Sequence, residues 1–398
     1  MAAMANSSLA DVLHAAPTIF TFLRYDNSLN VLLVTNTGMR NLVQQYVTHI
    51  TFPDQSHMPT FAQNHWPNLQ RISFRSFQEP SAVAGQSHRG WWISMLLAKL
   101  DLDAFVAMRS NSWPWQMFAD LALYFGHGLP VDLHTLSTCQ WPLLETLCLL
   151  DGKLDDAHAA VIFRADWPLL RSLRLPHNCL MHLEGVDHSR WPQLKLVCLE
   201  DNPVSNTGLQ RLACAQWPKL TSLDLGNNTA HAATPLAWHQ LIEANWPMLF
   251  NLYLGGNRIK ATMMKNIVEA QLSSIRTLNL SNNSLDSVAI DQLMKGSWAQ
   301  LHQFNLNHAL CGSIVDSLTL LSTGAWPLLE SLWLGANKVD VTALPVLAKS
   351  KWPSLYYLNL VDNRLPSDDF KVLGGDAACD VPRDRCRNVW PKLHVLEY

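Results

Sequence analysis

Histidine and cysteine are the first places to look for chemistry in this chain, which holds sixteen of the one and eight of the other. A histidine acting as a base needs a nucleophile within reach and a third group to orient its ring. His177 and His308 follow candidate strands. His231, His239 and His302 are scattered, and no nucleophile stands at a spacing that would pair with any of them. No HExxH occurs, and LGGDAA at 373–378 is a loop without the helix and lysine that a phosphate cradle requires. The cysteines, at 139, 148, 179, 198, 214, 311, 379 and 386, form no CxxC and no cysteine–histidine spacing of a zinc site. They fit buried free thiols in a reducing compartment. The expectation is a protein that is not an enzyme and takes no metal or cofactor.

What remains is recognition chemistry. Tyr253, Trp333 and Tyr357 are of the residue types that anchor protein interfaces. Asn279, Gln303, Asn305 and Asn307 can hydrogen-bond an extended backbone. Arg174, Glu200 and Asp224 bring opposite charges together, and two readings stay open for them: mutual solvation across neighbouring strands, or part of a binding surface. The net charge is −3 and lysines and arginines are dispersed, which argues against nucleic acid as a partner. No apolar run reaches the roughly 18 residues of a membrane span, and the N-terminus lacks the basic start of a secretory signal. A cytoplasmic protein is expected, with the nucleus as the alternative.

These residues need elements to place them, and the elements repeat. "WPKLTSLDLGNN" begins at Trp217, and close copies begin at Trp246, Trp326 and Trp352. From Trp66 onward such starts recur every 21 to 29 residues, until a last interval of 38 ending at Trp390, with Leu272 in place of one tryptophan. A period in this range marks a solenoid. Within the unit at Trp217, Leu223 and Leu225 alternate with polar neighbours, as in a short strand with one buried face. Asn228 falls where the chain must turn, and Asn178, Asn202, Asn257, Asn283, Asn337 and Asn363 match it, so stacked units would form a ladder of amides. The stretch before each tryptophan has helical apolar spacing. Proline disfavours helix at the residue before it, so Trp-Pro is expected to stop the helix at the tryptophan and to fill the wedge between helix and strand.

"LTSLDLGNNTA", "IRTLNLSNNSL" and "LYYLNLVDNRL" match LxxLxLxxNxL, and the chain resembles the leucine-rich repeat family, its ribonuclease-inhibitor-like subclass in particular. The resemblance implies an α/β fold: a right-handed, curved solenoid with parallel strands on the concave side and helices on the convex side, used to bind proteins. On that reading the residues five, seven and nine after each tryptophan face the concavity. These include Arg174, Glu200, Asp224, Tyr253, Asn279, Asn305, Asn307, Trp333 and Tyr357. Regular repeats are expected over 141–370 and degenerate ones over 51–140.

Residues 1–50 precede the repeats. Ile19, Phe20, Phe22, Leu23, Leu29 and Val34 fall where an F-box has apolar residues, so this segment resembles an F-box, although Thr35 and Gly38 depart from the usual cysteine and tryptophan. The resemblance implies docking onto a ubiquitin-ligase adaptor, the chain then serving as a substrate receptor. The alternative is a helical cap on the first repeat. Residues 371–389 read as a polar loop inserted in the last long unit, and 390–398 as a partial repeat whose open edge could pair with a second chain. The function expected is a non-catalytic scaffold that binds a partner protein on its concave face.

Overall fold

The computed structural model describes residues 49–52, 71–74, 120–124, 144–228, 234–242, 244, 246–269, 273–365 and 390–397. The F-box-like positions and the 371–389 insertion lie outside them. Strands β1 (His49–Phe52) and β2 (Arg71–Phe74) pair in parallel as a two-stranded sheet. The main sheet has eleven parallel strands in strict chain order: β3 (Asp120–Tyr124), β4 (Thr146–Leu150), β5 (Ser172–Arg174), β6 (Leu196–Cys198), β7 (Ser222–Asp224), β8 (Asn251–Tyr253), β9 (Thr277–Asn279), β10 (Gln303–Asn305), β11 (Ser331–Trp333), β12 (Tyr357–Asn359) and β13 (Val395–Glu397). Its register follows the tryptophans. Ser222 stands opposite Asn251, and Asn251 opposite Thr277, so residues at one distance from the unit start lie side by side. β3 corrects the reading of the degenerate region. Asp120 pairs with Thr146, which puts the unit start at Trp115 rather than Trp113.

The helices return the chain behind the sheet. They are α1 (Asp156–Phe163), α2 (Asn206–Ala213), α3 (Pro235–Ile242), α4 (Ala261–Glu269), α5 (Ser287–Met294), α6 (Ile314–Ser322) and α7 (Leu344–Leu347). Side-chain caps start several of them: Asp155, Ser205, Asp286 and Ser313 each accept a main-chain N–H of the first turn. Gly208 in α2 lets the helix approach the preceding coil, since a Cβ there would lie 2.5 Å from the Met181 carbonyl oxygen. The unit from Trp167 departs from the rule of one helix per coil. Only a 3₁₀ turn, Val186–His188, fills the place, because its 24 residues leave too little chain for two helical turns. Asp156 secures this coil instead, its carboxylate accepting the N–H groups of Met181, His182 and Leu183 at 2.7–3.1 Å. Helices pack about 8–10 Å apart and strands only about 4.8 Å, so the helix layer takes the outside of the curve and the sheet the inside.

Between sheet and helices runs one continuous apolar core of leucines and tryptophans. Trp167, Trp191, Trp217 and Trp246 stack face to face with centroids 6.0–6.4 Å apart, and Trp326, Trp352 and Trp390 form a second stack. Trp390 thus lands in register after the longest interval. Several indole N–H groups donate across coils: Trp191 to the Ala165 carbonyl at 3.1 Å, Trp217 to Ser189 Oγ at 3.1 Å, Trp390 to Ser350 Oγ at 3.0 Å. Each acceptor stands two residues before a tryptophan, in a position that is small in every unit from Trp141 to Trp352. A Cβ on Gly296 or Gly324 would come within 2.7 Å of the following indole.

The indoles fill the wedge between helix and strand as expected, but the proline does a different job from stopping the helix. α2 ends at Ala213, before Trp217 is reached. The Trp217 carbonyl instead accepts the Leu220 N–H at 3.0 Å, and the same bond recurs from Trp167 to Leu170 through Trp390 to Leu393. Each W-P-x-L is therefore a β-turn that feeds the strand, with proline at the position whose φ its ring already supplies.

The amide ladder is present. Asn283 accepts from the Asn257 and Ile259 N–H groups and donates to the Leu254 and Leu280 carbonyls, all at 2.8–3.1 Å. The residue before each ladder asparagine takes a left-handed backbone: His177, Asp201, Asn227, Gly256, Asn282 and Asp362 among them. Among the described residues two rungs lack an asparagine, at Gly152 and at Ala309. The Ala309 carbonyl takes the Leu285 N–H at 2.8 Å, closing a main-chain bridge between Leu285 and Leu310. Among the described residues, no helix is long and apolar enough to cross a membrane.

Candidate functional site

Strand pleat sends alternate side chains to the two faces of the sheet. In β7, Leu223 is buried under the helices while Asp224 points to the open face. Register then lines up the residues seven after each start as one row across the sheet: Cys148, Arg174, Cys198, Asp224, Tyr253, Asn279, Asn305, Trp333, Asn359 and Glu397. Six of the nine expected site residues are in this row. Tyr357 belongs to the row five after, and Glu200 and Asn307 to the row nine after. The structure brings all nine onto one face.

At one end sits an acidic pair. Cys198 Sγ and carboxylate oxygens of Glu200 and Asp224 lie within 4.8 Å of one another. Burial pushes the Asp224 carboxyl up to about 7, and the neighbouring Glu200 charge adds to the shift. The Cys198 thiol hydrogen-bonds to that carboxylate, and burial with the Asp224 charge holds it protonated far above the usual thiol range. Burial likewise takes Cys148 up to about 11, and raises Tyr253, with Asp224 second. Donor types suit a metal, but a thiol held protonated and the nearby Arg174 charge both oppose one. Arg174 feels these groups electrostatically, yet it makes no ion pair with Glu200 or Asp224 among the described residues. Cys148 and Cys198, two strands apart, are both free thiols.

The middle of the face carries the amides, and they are already half engaged. Asn279 Oδ1 accepts the Ser281 N–H at 2.9 Å, Asn305 Oδ1 the Asn307 N–H at 2.9 Å, and Asn307 Oδ1 the Gly335 N–H at 2.7 Å. Asp224 does the same with the Gly226 N–H at 2.9 Å. At the other end Trp333 and Tyr357 meet with ring centroids 5.4 Å apart. Tyr357 Oη donates to Glu397, which also takes the Asn359 amide at 2.7 Å. Burial first, and this bond second, raise the Tyr357 phenol.

Tertiary structure also makes one pairing that spacing did not show. His182 Nδ1 lies 2.9 Å from Ser205 Oγ, 23 residues away. Ser205 caps α2, its oxygen accepting the Gly208 N–H. No third group orients the ring among the described residues, so the pair has the geometry of a cap rather than of an activated nucleophile. The signals that sequence reading passed over are the small residue before each tryptophan, the left-handed position before each asparagine, and the tied amide oxygens.

No family model matches this chain, and no curated protein matches it. Among solved structures it is similar to the leucine-rich repeat-containing protein LegL7 from Legionella pneumophila, with 19% identity, 60% of this chain and 86% of that one covered, and a TM-score of 0.44. It is also similar to an internalin from Listeria monocytogenes, with 15% identity, 71% and 88% covered, and a TM-score of 0.31. By its in-register parallel sheet, returning helices and asparagine ladder, the fold is a leucine-rich-repeat solenoid.

Proposed function

We propose that this protein is a non-catalytic scaffold that binds a partner protein on the open face of its sheet. The observation that carries this reading is the set of partly exposed aromatics on that face, Tyr253 and Trp333 in the row seven after each start and Tyr357 against Trp333 from the row five after, among mostly polar neighbours. A large aromatic half open to water is stabilising only when something covers it, and aromatics of this kind dominate interface energetics. The test is the triple variant Tyr253→Ala, Trp333→Ala, Tyr357→Ala. Partner recovery by affinity capture is expected to fall at least tenfold with the melting transition retained, and unchanged recovery would place the interface elsewhere.

Docking of a ubiquitin-ligase adaptor through residues 1–50 would add to this reading, with the same face taking the substrate. Its support is the F-box-like spacing alone. A pull-down with and without residues 1–50 tests it, and failure of the full chain to recover an adaptor removes it.

A further inference from the structure

The amides of the open face have a fixed polarity. A main-chain N–H can only donate, so the side-chain atom facing it must be oxygen. Asn279, Asn305 and Asn307 each spend that oxygen on a main-chain N–H just past the end of a strand, of Ser281, Asn307 and Gly335. Their NH₂ groups are left turned away from those contacts, and none has a partner among the described residues. The centre of the face therefore offers donors, uncharged and in series. Such a strip suits neutral acceptors, because a carboxylate would lose its hydration with no cation there to replace it.

The flanks differ from the centre in opposite ways. Glu200 and Asp224 crowd two carboxyls together with no ion pair to either among the described residues, beside the ring of Tyr253. Two acids against the single nearby charge of Arg174 leave an acidic excess beside an aromatic face, complementary to a lysine or arginine side chain. Trp333 and Tyr357 present a contiguous aromatic surface, complementary to a large apolar side chain. From β7, which bears Asp224, to β11, which bears Trp333, there are four strand steps. At about 4.8 Å each these span about 19 Å, the length of about six residues of extended chain.

We infer that the occupant is an extended segment of the partner protein, lying across the strands with main-chain carbonyls over the Asn279–Asn307 amides, a basic residue at Glu200–Asp224 and a large apolar residue about six positions away at Trp333–Tyr357. This rests on the protein-binding reading of the open face and gives it a partner chemistry. Acidic segments are disfavoured at the first site by like charge. Folded partners presenting no strand-like stretch are disfavoured by the linear arrangement.

The experiment is selection of a random displayed library of 12-residue peptides on the immobilised full chain, followed by polarisation titrations of the enriched peptides. Enriched sequences are expected to pair lysine or arginine with a large apolar residue five to seven positions apart. Asn305→Asp is the informative variant. It keeps the oxygen that caps the Asn307 N–H and exchanges the free donor for a negatively charged acceptor that repels a main-chain carbonyl, so affinity should fall about tenfold while the melting transition is retained. Asp224→Asn with Glu200→Gln should abolish the preference for a basic residue. Enriched peptides without this spacing, or indifferent to Asn305→Asp, overturn the inference. If the same peptides still depend on Tyr253, Trp333 and Tyr357, the open-face reading survives; if they do not, it fails too. A library from which nothing is enriched counts against an extended occupant.

Discussion

Asp224, proposed as part of the recognition surface, costs the fold stability at neutral pH and above. Its carboxyl is raised to about 7 by burial and by Glu200; unfolded, it would ionise near the ordinary 3.8. The folded chain thus holds this proton more tightly than the unfolded chain does. Stability from this group is present below about pH 4 and is lost as pH rises toward 7. Asn279, Asn305 and Asn359 occupy the same row and make the same bond to the N–H two residues on, so asparagine fits the place. Asp224→Asn should raise the unfolding free energy by about 1–2 kcal/mol at pH 8 and change it little at pH 4, the full value of the shift being reduced by solvent at the open face. Urea denaturation at the two pH values checks this, and an equal gain at both would mean the carboxyl is not perturbed. The binding consequence runs the other way: a basic side chain needs Asp224 ionised, so its capture should strengthen from pH 6 to pH 8.

At the scale of elements, each coil is held by groups that belong to its neighbours. Asn283 satisfies two buried N–H groups of the preceding coil and two carbonyls. Asn283→Ala leaves these without partners in a dry interior, and should cost about 3 kcal/mol or more, each orphaned group being worth about 1–3 kcal/mol. Thermal or chemical denaturation measures it. Ala309 shows that the rung can be dispensed with when the backbone reshapes: its carbonyl takes over the Leu285 N–H. A loss of under about 1 kcal/mol for Asn283→Ala would mean that this reshaping is available elsewhere in the ladder. Helix caps and the W-P-x-L turns matter for the same reason, since short strands and helices gain their order from stacking more than from their own propensities.

At the scale of the whole molecule, the eleven strands that the described residues form in the main sheet give a continuous open face, with β3 and β13 outermost among them. An edge strand carries unpaired main-chain groups that can pair with another chain. If β13 does so, light scattering should show a concentration-dependent dimer that a charge on its open-face side, Val395→Lys, dissolves. A monomer at all concentrations removes self-association. Because each coil contacts only its neighbours, substitutions far apart on the face should add within about 0.5 kcal/mol, whereas Trp333 and Tyr357 should couple.

The repeat, its strand and its ladder were legible because a solenoid turns sequence period into spatial register: LxxLxLxxN at Trp217 already specifies which residues are buried and which are aligned. The start of the unit at Trp115 was not legible, because the neighbouring Trp113 competes for the same role and only strand pairing chooses between them. Nor was the purpose of Trp-Pro, since a proline disfavours helix before it and favours a turn after it, and the hydrogen bond from Leu220 to Trp217 decides which matters. The nine candidate residues could be named from periodicity alone. What they offer a partner depends on the third dimension: Asn279 and Asn305 tie their oxygens two residues on, but the Asn307 oxygen is spent on Gly335, 28 residues away, and the charge that helps raise the Asp224 carboxyl is Glu200, one coil away in space.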